Sequence, residues 1–273
     1  MASPTTGSTE LVDIAIDDGI ATVRLNRPEK MNALNPAMFE AILAAGERLA
    51  KVADLRVVVL SGNGKAFCAG LDMQSMAGLA EKAGGARLSR RTHGVSNYAQ
   101  HACMLWRELP VPVIAVVHGV AFGGGLQLAL GADLRYVGSD ARLSVMEPQW
   151  GLVPDMGGMA LMQDLVRNDW LRDLVYTARI VTGYEAVDIG LATRVVDDPL
   201  ALAMETAHEI SQKSPDAIRA AKRLIRIASQ RDTAATLLAE SVEQDGLIGG
   251  ANQREAVQAN MERRAPRFAP AKL

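Results

Sequence analysis

Two carboxylates, Glu147 and Asp155, sit in an otherwise apolar stretch shaped by proline and glycine, Met146-Glu147-Pro148-Gln149-Trp150-Gly151-Leu152-Val153-Pro154-Asp155-Met156-Gly157-Gly158. A carboxylate in apolar surroundings has its pKa raised and becomes a usable base near neutral pH. The simpler alternatives are a solvated loop carboxylate for Glu147 and, for Asp155, an N-cap of a helix after Gly158. A second stretch, Gly123-Gly124-Gly125-Leu126-Gln127, follows a β-branched run at Val113–Val117 that reads as a buried strand, and it precedes a segment that suits a helix. Such a turn leaves backbone N–H groups without intrahelical partners at a positive dipole end. Glycines let a ligand approach them, so the place suits an anion or a developing oxyanion. The plainer alternative is that the glycines let the helix pack tightly on the strand. A third stretch, Ala66-Phe67-Cys68-Ala69-Gly70-Leu71-Asp72, comes just after a strand at residues 56–60.

Other chemistries find no support. The chain has no Gly-x-Ser-x-Gly elbow and no Walker-type Gly-Lys-Ser/Thr, and Gly62-Asn63-Gly64 is a lone Gly-x-Gly. His93, His101, His118 and His208, with Cys68 and Cys103, lack metal-ligand spacing, so no metal is expected. His118 reads as a core or supporting histidine. A formal charge of −2 gives no general pull toward nucleic acid or an anionic membrane. No apolar run is long enough to span a bilayer. Two cysteines are too few for a disulfide framework, which agrees with a cytoplasmic setting. Residues 1–10 lack the basic and apolar parts of a signal peptide and read as a loose tail.

The elements that must hold these stretches follow from the pattern. Residues 11–17 and 21–25 read as a hairpin around Asp17-Asp18-Gly19. Asn35-Pro36 opens a helix with Met38, Ala41, Ile42, Ala45 and Leu49 on its apolar face. Residues 79–91 suggest an irregular segment. Residues 95–108 predict a helix with Val95, Tyr98, Ala102 and Leu105 on one side. Short strands are expected at residues 134–137 and 143–146, and a capping box at Thr182 and Glu185 with a helix end at Gly190. Ser214-Pro215 opens a helix with Ala217, Ala221, Leu224 and Ile225 inward. Strands and helices alternate through about the first 200 residues and the rest is helical, which predicts an α/β domain with a helical extension.

In this order, the three stretches resemble the crotonase family, the enoyl-CoA hydratase/isomerase group. Leu25-Asn26-Arg27-Pro28-Glu29-Lys30-Met31-Asn32-Ala33-Leu34 looks like the family's first signature. Residues 66–72 look like its A-F-x-A-G-x-D segment, and residues 123–128 like its glycine-rich helix start. Residues 182–196 and the ending Glu262-Arg263-Arg264-Ala265-Pro266-Arg267-Phe268 also resemble it, so the match runs over residues 11–268. The resemblance implies a spiral of ββα turns over residues 11–200 and a helical trimerisation region over 201–273, in trimers or hexamers. It implies an acyl-CoA thioester as substrate, with no metal or redox cofactor. By motif position, the backbone N–H groups of Leu71 and Gly124 grip the thioester oxygen, and Lys30, Met31, Ala33, Ala69, Asp72, Met73 and Gly123 contact CoA or substrate. Residues 74–99 would shape the acyl pocket.

One departure is informative. Typical hydratases of the family carry two glutamates, and here the second is Glu147 while the first is replaced by Gln127. An amide neither takes nor gives a proton at neutral pH. Family isomerases resemble the stretch Gly151-Leu152-Val153-Pro154-Asp155 and use an aspartate there, so Glu147 and Asp155 would move protons at different carbons. Double-bond isomerisation is therefore the expected reaction. The rivals are a hydratase in which Gln127 positions water for Glu147, and a catalytically silent acyl-CoA-binding protein. Some family members bind RNA, but the balanced charge does not favour it, and Arg263, Arg264 and Arg267 read as a solvated tail.

Overall fold

The computed structural model describes residues 10–73, 75 and 88–271. The expected loose tail, apart from Glu10, lies outside the described residues, as does most of the irregular segment expected at 79–91.

The chain opens with an antiparallel hairpin of β1 (Val12–Asp17) and β2 (Ile20–Leu25), joined through Asp18 and Gly19. From β2 onward the large sheet is parallel. It has six strands in the order β1-β2-β3-β4-β6-β9, with β3 at Val57–Gly62, β4 at Val113–Val117, β6 at Leu134–Gly138 and β9 at Arg194–Val196. A second sheet is formed by β5 (Val120–Phe122), β7 (Arg142–Ser144) and β8 (Val181–Thr182). Each turn of the chain gives one strand to the large sheet and the next to the small one: β4 then β5, β6 then β7. Isolated parallel bridges at Cys68↔Ala121 and Leu34↔Leu71 continue the small layer backward. The expected spiral of ββα turns is what the chain builds.

Both faces of the large sheet are covered, which is why β3 and β4 are unbroken β-branched runs rather than alternating ones. Val58 and Leu60 point into the main core with α1 (Pro36–Ala50) and α2 (Tyr98–Glu108). Val57 and Val59 point the other way, where Ile114, Val116 and Tyr136 meet Ala203 and Ala207 of α7 (Pro199–Ser211). Between these lie α3 (Gly124–Leu130), α4 (Gly158–Met162), α5 (Asn168–Thr177) and α6 (Gly183–Asp188). The chain ends in α8 (Pro215–Ala228), α9 (Thr233–Leu247) and α10 (Ala251–Glu262). Among the described residues, no helix is long and apolar enough to cross a membrane.

Asn35 caps α1 by accepting from the Met38 N–H at 2.8 Å, as its sequence predicts. Two expectations need correction. Helix α2 starts at Tyr98, not Val95, because Asn97 and Gln100 form a reciprocal capping box there and Val95, outside the helix, is 80% exposed. On α8 the inward residues are Pro215, Arg219 and Ala220, whereas Ala221 and Ile225 are exposed. The physical reason is Arg219, whose Nη2 donates to the carbonyls of Ala53 and Leu55 and turns that face inward.

Candidate functional site

The site forms where the small layer ends. Cys68 runs parallel to Ala121, with the Cys68 N–H donating to Val120 O at 3.0 Å and the Phe122 N–H to Cys68 O at 3.1 Å. Further on, the residue before Leu71 closes on the glycine turn: a Cβ on Gly70 would lie 2.5 Å from Phe122 O and 3.6 Å from the Gly124 nitrogen. On the other flank Leu34 bridges Leu71: the Leu34 N–H donates to Gly70 O at 2.7 Å and the Asp72 N–H to Leu34 O at 2.9 Å. In a parallel bridge of this kind Leu71's own amide points away from Leu34. Gly124 is the first residue of α3, so its N–H has no intrahelical carbonyl to bond. Neither amide donates a hydrogen bond among the described residues. The close approach demands glycine at 125, where a Cβ would overlap the Cys68 carbonyl.

Asn32 holds this arrangement together. It is fully buried; its Nδ2 donates to the carbonyls of Asn63, Ala66 and Phe67 at 2.9, 2.9 and 3.2 Å, and its Oδ1 accepts from the Arg27 N–H at 2.8 Å. The Cys68 thiol donates to Asn32 O at 3.1 Å, and burial pushes its pKa up to about 12, so it is a structural group and not a nucleophile.

Glu147 reaches the same place from the neighbouring strand. Phe122 pairs with Ser144, the Gly123 N–H donates to Ser144 O at 2.9 Å, and Glu147 starts the 3-10 turn Glu147–Trp150 just beyond β7. A Cβ on Gly123 would lie 3.3 Å from Glu147 Oε1, so the carboxylate stands against the helix start. Gln127, 1% exposed, is fixed at both ends of its amide. Its Oε1 accepts from the N–H groups of Met156 and Gly158 at 2.8 and 2.9 Å, and its Nε2 donates to Glu147 Oε1 at 2.6 Å. Two incoming N–H donors leave the amide one orientation, so Glu147 Oε1 is an acceptor. Glu147 Oε2 is buried with no partner among the described residues.

Desolvation pushes the Glu147 pKa up, and the nearby Asp155 charge adds to that; its own backbone N–H and the Gln127 amide pull against them. Asp155 is accessible at the surface, yet enough protein surrounds its carboxyl for partial desolvation to raise its pKa as well, against its own backbone N–H. It caps nothing: α4 begins after Gly157 with no side-chain cap, which removes the helix-cap alternative.

The remaining expected residues differ in exposure and partners. Lys30 and Met31 are exposed, and Met73 is 60% exposed. Ala33 is buried, and the Ala69 N–H donates to Met31 O at 2.9 Å. The Asp72 carboxylate turns to Arg27, whose Nη1 meets Oδ2 at 2.6 Å. Of the expected pocket-shaping stretch 74–99, residues 74 and 76–87 lie outside the described residues. His118 binds Gly64 O at 3.0 Å, away from these groups. Among the described residues, no three His, Cys, Asp or Glu side chains converge as metal ligands. Sequence reasoning gave no separate role to Arg27 or Asn32. The only signal was their place in the 25–34 signature, because their partners Asp72, Asn63, Ala66 and Phe67 lie 31–45 residues away. The arrangement presents two unpaired amides for a carbonyl oxygen, beside a half-buried carboxylate with one bare oxygen.

A sequence model of the enoyl-CoA hydratase/isomerase family matches residues 15–271. A mitochondrial Delta(3,5)-Delta(2,4)-dienoyl-CoA isomerase of Mus musculus is 35% identical over 77% of this chain; the match spans 66% of that enzyme, just under two thirds of its length. A Mycobacterium tuberculosis protein carrying an enoyl-CoA hydratase name is 31% identical over 95% of this chain and 98% of its own. A crystal structure of an enoyl-CoA hydratase from Bacillus anthracis superposes with a TM-score of 0.84 at 29% identity, covering 94% of this chain and 98% of that one.

Proposed function

Because the chain belongs to the enoyl-CoA hydratase/isomerase family, we propose that it moves a carbon–carbon double bond of an enoyl-CoA. The amides of Leu71 and Gly124 hold the thioester oxygen and stabilise the enolate that forms when a proton leaves C2. Glu147 Oε2 takes that proton and Asp155 returns one further along the acyl chain. For a 3,5-dienoyl-CoA, the substrate type named for the mouse relative, loss of a proton at C2 and gain of one at C6 gives the 2,4-dienoyl-CoA. Protons leave and return without net oxidation, so the reaction calls for no metal or redox cofactor. Lys30, Met31, Ala33, Ala69, Asp72, Met73 and Gly123 border the substrate.

The observation that carries this reading is the clamped Gln127. Its oxygen is used by two N–H groups and its nitrogen faces Glu147, so position 127 offers no acid for the addition of water. Glu147 and Asp155 are left as the acids. A homotrimer or hexamer fits α9, which buries none of its residues and exposes Leu237, Leu238 and Val242. Both cysteines are free, in keeping with a cytoplasmic location.

The test is to supply 3,5-dienoyl-, 3-enoyl- and 2-enoyl-CoA in deuterated water. Formation of the conjugated 2,4-dienoyl or 2-enoyl thioester, with deuterium uptake, is the expected result. Consumption of 2-enoyl-CoA by hydration alone would make it a hydratase in which Gln127 orients the water. Tight binding without any deuterium uptake would make it a silent acyl-CoA-binding protein.

A further inference from the structure

The geometry points to Arg27 as a positioning residue that neutralises the Asp72 carboxylate immediately behind the Leu71 amide, so that this amide faces the developing oxyanion without an opposing charge. The inference rests on the reading of Leu71 and Gly124 as the thioester-binding pair.

Asp72 follows Leu71 directly, and its side chain is only 9% exposed. Water therefore does little to screen its charge, and an anion one residue from the amide opposes negative charge building on a bound carbonyl oxygen. Arg27, with a side chain 14% exposed, places Nη1 at 2.6 Å from Asp72 Oδ2 and at 3.1 Å from the Ala33 carbonyl. Ala33 precedes Leu34, the residue bridged to Leu71. One guanidinium thus cancels the charge and ties both strands of the bridge. Its backbone is fixed too: the Arg27 N–H donates to Asn32 Oδ1, and its carbonyl accepts from the Lys30 and Asn32 N–H groups at 3.0 Å each. The other acid facing it is Glu29, 3.9 Å from Nε and 67% exposed, where solvent weakens the interaction.

A residue acting in this way affects the state in which the oxygen carries charge more than the bound ground state. Arg27→Gln should lower kcat by about 10- to 100-fold while KM changes by less than about threefold. Asp72→Asn should have the opposite sign and raise kcat, and Arg27→Gln/Asp72→Asn should recover most of what Arg27→Gln loses. A merely structural pair predicts losses in all three. The direct readout is the carbonyl stretching band of 13C-labelled 2,4-hexadienoyl-CoA bound to the full-length protein. Polarisation by the amides lowers it in the wild type; Arg27→Gln should move it back toward the free thioester and Asp72→Asn should not. A wild-type band at the free frequency would overturn the amide-pair reading and this inference with it. A lowered wild-type band that stays put in Arg27→Gln, with kcat within threefold, would overturn this inference alone. If Arg27→Gln does not fold, Asp72→Asn decides by itself, since a fall in its kcat contradicts charge compensation.

Discussion

Glu147 and Asp155 both have native pKa values above their ordinary ones, chiefly through desolvation. For an acid this means that ionisation opposes folding: the stability is complete below the unfolded pKa and is lost as the pH rises through the native one. Asp155→Asn removes that loss, so thermal melts should show the variant above the wild type near neutral pH, the gap closing as the pH falls below about 4. Under the proposed reaction its rate of double-bond shift should fall over the same neutral range. In the proposed reaction Glu147 must be ionised to accept a proton, so the acid limb of kcat/KM should lie above the ordinary glutamate value of about 4.3. Glu147→Gln should cost on the order of a hundredfold or more in kcat without loss of folding. Gln127→Glu sets a second carboxyl against Glu147 Oε1, at a contact now 2.6 Å long. The pair should then share a proton, the acid limb should move upward, and hydration of 2-enoyl-CoA should rise. No gain in hydration would mean that this helix face does not look onto the reacting carbons.

Elements explain why some of this is legible in the sequence and some is not. Strand β4 can be read directly because burial on both faces leaves an unbroken apolar run. The strand–glycine–helix turn at α3 is equally plain, and so is the apolar setting of Glu147 and Asp155. Apolar spacing misleads at Val95, where the Asn97/Gln100 box is the better signal for the helix start. It misleads again at Ile225, because hydropathy does not register that a buried arginine can donate to two distant carbonyls. Arg27 and Asn32 are illegible for the same reason, since their partners become neighbours only once the bridges form. The small layer also yields a prediction. Gly125→Ala puts a methyl group into the Cys68 carbonyl, so it should separate the 68–71 and 121–124 segments and lower both the melting temperature and kcat, with a loss of at least about 1–3 kcal/mol. Asn97→Ala, which removes the α2 cap and the Nδ2 hydrogen bond to Leu88 O at 2.9 Å, should lower stability by at least about 1 kcal/mol in a thermal or denaturant melt.

At the scale of the whole molecule, the C-terminal helices leave apolar surface that the single chain does not cover: Ile225 on α8, Leu237, Leu238 and Val242 on α9, and Val257 and Met261 on α10. For the proposed trimer or hexamer, light scattering should report a mass of three or six chains, and Leu238→Glu should lower it. A wild-type monomer at micromolar concentration would rule out the assembly. The same architecture separates two tasks physically. In the proposed reaction the grip on the carbonyl oxygen consists of peptide amides, held by bridges and by Asn32, while the acids are ordinary side chains on the next loop over. Substitution can erase an acid in a single step, but no side-chain exchange at 71 other than proline removes a main-chain donor. Libraries randomised at 127, 147 and 155 should thus keep their hold on acyl thioesters while their products diversify, making this scaffold a ready starting point for new enolate chemistry.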